Sequence, residues 1–319
     1  MNVIDWLLKD DLFTVYHVEK YLLLNFDKAN EIKKNLKTSD LAKTIIFQQD
    51  LNTSLWGGGV YSPKYTSTHY SLLTLCELEV DLSESRFLGA IDILLNEMWA
   101  KDGKVNKYRH QDMCVVAMMI RICAQANVQD NRIFEMIDYI IDHRMKDGGW
   151  NCAWERKPYP KQSSLHTTLS VLEAFYNLLD KKYSYRVEDI KNGILSGSEY
   201  MLTKRLFKSV RTNQIIHNDM LKFPFPYGWK YDILRALYVM ANLDISYDER
   251  MKDAISIVID RLDDIGRIKA DSLSVGKYYK IYRKANTLSP FNSFRALRVL
   301  KKYKLDSYLE FINRTCDII

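Results

Sequence analysis

The sharpest chemistry-bearing pattern in the chain is Asp112-Met113-Cys114, followed by His166. A carboxylate, a thiolate and an imidazole can hold Zn²⁺ while leaving a fourth position open, the form a catalytic zinc site takes. Cys152, just after the turn Asp147-Gly148-Gly149-Trp150, is a candidate extra ligand. Each residue also has an ordinary reading: a cysteine on an apolar helix is commonly a small core residue, and a histidine at a helix start commonly caps or hydrogen-bonds locally. Lys104, Lys107 and Arg109 stand just ahead of the Asp-x-Cys. They suit charge-assisted contacts to an anion, and equally a solvated loop.

The elements that must position these groups repeat along the chain. Gly turns recur at Trp56-Gly57-Gly58-Gly59, Asp102-Gly103-Lys104, Asp147-Gly148-Gly149-Trp150, Tyr227-Gly228-Trp229 and Asp264-Ile265-Gly266-Arg267. After each turn and a polar stretch comes an apolar segment, and these superpose as residues 69–75, 112–118, 166–172, 231–237 and 291–297. Between them lie amphipathic segments near Ser85 to Trp99, Asn131 to Met145, Val187 to Arg205 and Asp248 to Asp263, with apolar residues three and four apart. β alternation is weak throughout; only Arg211 to Pro226, punctuated by proline, suits a short hairpin or a loop. The fold class expected is all-α. A hairpin of this kind cannot bury both apolar faces alone, so the copies must stack. Small residues mixed among Leu and Phe in the inner segments suit a crowded inner ring: an α/α toroid, a closed ring of about five to six helical hairpins.

In that register His69, Asp112, His166, Tyr231 and Phe291 fall at equivalent places, each near the start of an inner helix. Unpaired N–H groups and the helix dipole favour an anion there, and phosphate is a natural guest. Trp56, Trp150, Trp154, Trp229 and Tyr231 cluster at the turns. They can wall an apolar pocket and stabilise a cation through their faces, or simply pack each turn on its neighbour, the stronger reading for Trp150 and Trp229. Leu206 to Pro226 can cover one mouth of the ring or be ordinary decoration.

Composition sets the outer bounds. No linker-like stretch divides the 319 residues, so one domain spanning 1–319 is expected. The net charge of +6 is spread along the chain and no RNA-binding signature surrounds the tyrosines, which argues against nucleic acid. No apolar run approaches the roughly 20 residues of a membrane span, and the start lacks a signal-peptide pattern. Five scattered cysteines, Cys76, Cys114, Cys123, Cys152 and Cys316, suit reduced thiols and a cytoplasmic location. Oligomeric state is left open.

The chain resembles the prenyltransferase and squalene-cyclase repeat superfamily, whose hallmark is the degenerate Gly-Gly-Trp turn, and more closely a group of bacterial prenyltransferase-like proteins. The resemblance rests on residues 56–70 (WGGGVYSPKYTSTHY), 147–152 (DGGWNC), 163–175 (SSLHTTLSVLEAF), 223–236 (FPFPYGWKYDILRA) and 292–300 (NSFRALRVL). Likeness to the protein prenyltransferase β-subunit implies zinc on Asp112, Cys114 and His166, a diphosphate-binding role for His69, and basic help from Lys107 and Arg109. Val115 stands where those enzymes carry a tyrosine, and nothing represents their α-subunit. The protonating Asp-x-Asp-Asp of class II terpene cyclases is missing; Leu262-Asp263-Asp264 lacks its first Asp.

The resemblance implies a prenyltransferase-like protein that binds an isoprenoid diphosphate or other apolar small molecule in a central cavity. Asp112, Cys114 and His166 would be the catalytic zinc site, and His69, Lys107, Arg109, Trp154, Tyr231 and Asp232 the substrate contacts. Zinc would then present a thiol or water nucleophile to the allylic carbon. The alternative is a non-catalytic ring holding an apolar ligand or a protein partner. A third reading, a carbohydrate-active α/α barrel, would need two opposed carboxylates, for which Asp112 and Asp232 are available.

Overall fold

A computed structural model describes residues 1–100, 103–106, 109–273, 275–279 and 284–315. It is all-α as expected, apart from a two-stranded antiparallel ribbon, β1 (Lys104–Asn106) and β2 (Arg109–His110), ahead of the Asp-x-Cys segment. The N-terminal helices are α1 (Val3–Leu7), α2 (Leu12–His17), α3 (Phe26–Lys33) and α4 (Asp40–Ile46), with a π-helical turn Val18–Leu23 continuing α2.

All five repeated apolar segments are helical: α5 (Thr68–Glu77), α7 (Met113–Gln125), α9 (Leu165–Asp180), α11 (Ile233–Asn242) and α13 (Pro290–Tyr303). They alternate with α6 (Ser85–Met98), α8 (Asn131–Asp142), α10 (Val187–Thr203) and α12 (Lys252–Asp260), and α14 (Leu305–Asn313) ends the series. Every residue of α5 is buried, whereas α8 buries one stripe, Ile133, Met136, Ile137, Tyr139 and Ile140. An evenly apolar helix has to be covered all round and a striped one on a single side, so the first kind lies inside and the second outside. Each inner helix packs on the next in the order α5, α7, α9, α11, α13, and α13 also packs on α2 and its π turn. The last helix, α14, packs on α13 and on α1, bringing the first and last helices together.

The Gly turns have a physical cause that can be followed at two copies. The Trp150 indole donates to the Ile140 carbonyl at 2.7 Å, and its backbone N–H donates to Thr168 Oγ1 at 3.1 Å. Trp56 repeats both contacts, with Ile45 O at 2.7 Å and Thr68 Oγ1 at 3.1 Å. Each tryptophan thus bolts an outer helix end to the start of the next inner helix, which is the packing role expected for Trp150. Gly148 adopts φ +94°, and a Cβ on Gly149 would lie 2.6 Å from Thr168 Oγ1, so the pair is required for the close approach.

The stretch 211–226 is a loop with an isolated bridge, Lys208 to Ile215, and a 3₁₀ turn at Asn218–Leu221. Its last residues turn inward: Phe223 is buried, and its carbonyl accepts from Asn292 Nδ2 at 2.7 Å.

Candidate functional site

Asp112 caps the start of α7, but its carboxylate is turned to arginines: Oδ2 accepts from Arg109 Nη2 at 3.0 Å, and Oδ1 accepts from Arg156 Nη2. Beside it the backbone of His110 donates to Glu155 Oε1 at 2.6 Å, and the His110 ring pairs with Glu155 Oε2. Trp154 packs on His110 and His143 and donates its indole N–H to Tyr139 Oη at 2.9 Å.

Cys114 meets Cys152. The Cys114 backbone N–H and Thr167 Oγ1 both donate to Cys152 Sγ, each at 3.3 Å. The Cys114 thiol, with the Thr167 and backbone donors, lowers the Cys152 thiol to about 7 against the opposing effect of burial. Burial instead pushes Cys123 up to about 12. Iodoacetamide is therefore expected to modify Cys152 at neutral pH at least on the order of tenfold faster than Cys123, with a half-maximal rate near pH 7. Peptide mass mapping across a pH series checks this, and a half-maximum above pH 9 would contradict it.

His166 goes elsewhere. Its Nδ1 accepts from the Tyr231 backbone N–H at 3.2 Å, and its ring packs on Trp229 and Tyr231. Burial, with Arg235 and Lys230 nearby, holds it down at about 4, so it is neutral at physiological pH. Among the described residues no three His, Cys, Asp or Glu side chains are gathered so as to hold a metal ion. As arranged, Asp112, Cys114 and His166 do not fit zinc: one is clamped by guanidinium groups, one sits beside a second cysteine, and one faces the following repeat.

The expected diphosphate contacts are similarly dispersed. His69 is fully buried against Tyr61 and Tyr70, neither ring nitrogen has a partner, and burial lowers it to about 3. Arg109 is committed to Asp112, and Lys107 lies outside the described residues. Tyr231 is buried and donates to the Leu206 carbonyl at 2.5 Å; Asp232 is buried and caps α11 through Arg235 N at 2.7 Å.

The sequence pattern did not disclose the charged cluster at the centre. Glu173 on α9 accepts from Arg235 Nε at 2.8 Å and Nη2 at 2.6 Å, and from Arg121 Nη1 at 2.9 Å. The Arg235 and Arg295 guanidinium groups lie 4.2 and 5.0 Å from the Tyr227 ring centroid. Glu77 has no hydrogen-bond partner on either carboxylate oxygen. A signal was available: Arg235 and Arg295 occupy the same place in consecutive copies, YDILRAL and FNSFRAL, inside runs that otherwise read as core. Around this cluster lies a cavity of only about 50 Å³, walled by residues from α2, its π turn, α5, α7, α9, α11 and α13. That is room for a few waters and not for a prenyl chain.

A ligand-sized cavity of about 460 Å³ lies where α2, α4 and α13 meet; larger hollows of about 850 and 630 Å³ elsewhere are lined mainly by polar and charged side chains. Its apolar wall is Phe13, Leu41, Phe225, Pro290 and Phe291, and its rim carries Lys9, Asp10, Asp11 and Asp40. Phe291 lies 4.4 Å from Phe13 and 4.8 Å from Phe225 between ring centroids, and it also borders the small central cavity. Asp11 is held as the cap of α2, accepting from Phe13 N at 3.0 Å and Leu41 N at 3.3 Å. No protein-family model matches this chain, and no curated protein matches it in sequence.

Proposed function

We propose that the chain closes as an α/α ring of the prenyltransferase-like type and binds a small molecule with an apolar, isoprenoid-like body, without a catalytic metal. The observation that carries this reading is the Phe13–Phe225–Phe291 cavity, whose volume of about 460 Å³ falls within the range of small-molecule sites. Its aromatic wall joins three segments far apart in sequence. Ring closure is supported by the unbroken succession of inner-helix contacts and by the packing of α13 on α2.

The rim argues for a neutral head group. The starts of α2, α4 and α13 attract anions, but Asp11, Asp40 and Asp10 stand there against one lysine and offset that attraction. Farnesol is therefore expected to bind at least as tightly as farnesyl diphosphate. Ala270 is buried in the cavity wall, and Ala270→Phe fills the space the chain would occupy. That variant is expected to weaken farnesol about tenfold, equivalent to roughly 1.4 kcal/mol. Calorimetric titration of both ligands decides it: a clear preference for the diphosphate, or unchanged farnesol binding by Ala270→Phe, would refute the proposed site.

A further inference from the structure

We propose that Cys152 and Cys114 form a redox-active dithiol that reduces a hydroperoxide and closes to a disulfide. The pair is separate from the phenylalanine-lined cavity and does not depend on it. Cys152 Sγ is the acceptor of two donors at 3.3 Å, the Cys114 backbone N–H in the first turn of the 13-residue helix α7 and the Thr167 hydroxyl. Helix-start and hydroxyl donors converging on one sulfur favour its anionic form, and the thiolate is the nucleophile in peroxide reduction.

The second cysteine is beside the first, its own backbone N–H 3.3 Å from the Cys152 sulfur, where a resolving cysteine must be. Both residues are partly exposed, whereas Cys76 and Cys123 are buried, and Cys76 donates to the Arg121 carbonyl. Roles follow from the asymmetry: Cys152 attacks and Cys114 resolves.

In the first step the Cys152 thiolate attacks one peroxide oxygen and the O–O bond breaks. Cys152 becomes a sulfenic acid, and the departing alkoxide takes up the proton that Cys152 gave up. Cys114 then attacks the sulfenic sulfur, the S–S bond forms, and the hydroxyl leaves as water with the Cys114 proton. Two thiols and one hydroperoxide give one disulfide, one alcohol and one water, with two electrons passing from sulfur to oxygen.

Hydrogen peroxide is the probe. One equivalent added to the full chain is expected to remove two of the five thiols, with peptide mapping recovering a Cys114–Cys152 bridge. In Cys114→Ser, dimedone should trap a sulfenic acid at Cys152, and in Cys152→Ser the Cys114 thiol should survive the same treatment. The proposal is overturned if the lost thiols map elsewhere, if no thiol is lost, or if Cys152 oxidises no faster than Cys123. Should either variant fail to fold, the bridge mapping on the unsubstituted chain decides the matter alone.

Discussion

Glu173→Ala is expected to lower the stability of the fold by about 3–5 kcal/mol. The carboxylate lies at the centre, its side chain 6% exposed, and it neutralises Arg235 and Arg121, which are 1% and 7% exposed. Removing it leaves two buried guanidinium groups without their carboxylate, and the few waters that the adjoining cavity can hold supply no counter-charge. Glu173→Gln keeps an acceptor without the charge and should lose less. Burial alone would raise the Glu173 carboxyl, but Arg121 and Arg235 outweigh it and hold it below its ordinary value. Its contribution is therefore present above the unfolded-state value and fades as pH falls through the lower folded one. Urea unfolding of both variants measures this, and a loss below about 1 kcal/mol for the alanine variant would show that the cluster is not holding the inner helices together.

Glu77→Gln should act in the opposite direction, and only at higher pH. Burial raises the Glu77 carboxyl to about 7 in spite of Arg121, Arg235 and Arg295, with Glu173 adding to the rise. A group whose folded value exceeds its unfolded one, here 4.5, stabilises fully below the unfolded value and loses that contribution as pH rises through the folded one. The neutral glutamine avoids the loss. The variant should match the original chain below about pH 4.5 and exceed it above pH 7 by on the order of 3 kcal/mol. Unfolding curves taken from pH 4 to pH 8 check the sign, and a pH-independent gap would mean that Glu77 titrates in the folded chain as it does in the unfolded one.

The helical framework was legible because its signals are local and repeated. The Gly turns fixed the register, and α5, α7, α9, α11 and α13 fall on the five superposed segments. Outer helices end a few residues early: α8 stops at Asp142, since Met145 N turns to bond the Gly149 carbonyl at 2.9 Å. The ribbon at Lys104–Asn106 escaped notice because its strands are too short to show alternation.

The site was less legible, for a physical reason. Register places Asp112, Cys114 and His166 at neighbouring helix starts but does not set the rotation of each helix about its axis. The His166 ring faces Trp229 and Tyr231, and one of the two arginines that clamp Asp112, Arg156, follows a turn whose path spacing cannot reveal. Cys152, by contrast, was already marked by its position after the Gly-Gly-Trp turn, and the structure sets it against Cys114. The phenylalanine-lined cavity was invisible because Phe13 and Phe225 lie outside the repeated helices.

Farnesol binding by protein stripped of metal with a chelator is the measurement that bears most directly on the proposed function. The proposal predicts one site per chain, with the same affinity before and after zinc is restored, because none of Asp112, Cys114 and His166 lines the cavity of Phe13, Phe225 and Phe291. Binding that appears only when zinc is added, and that disappears in His166→Ala, would contradict this reading and return the function to Asp112, Cys114 and His166.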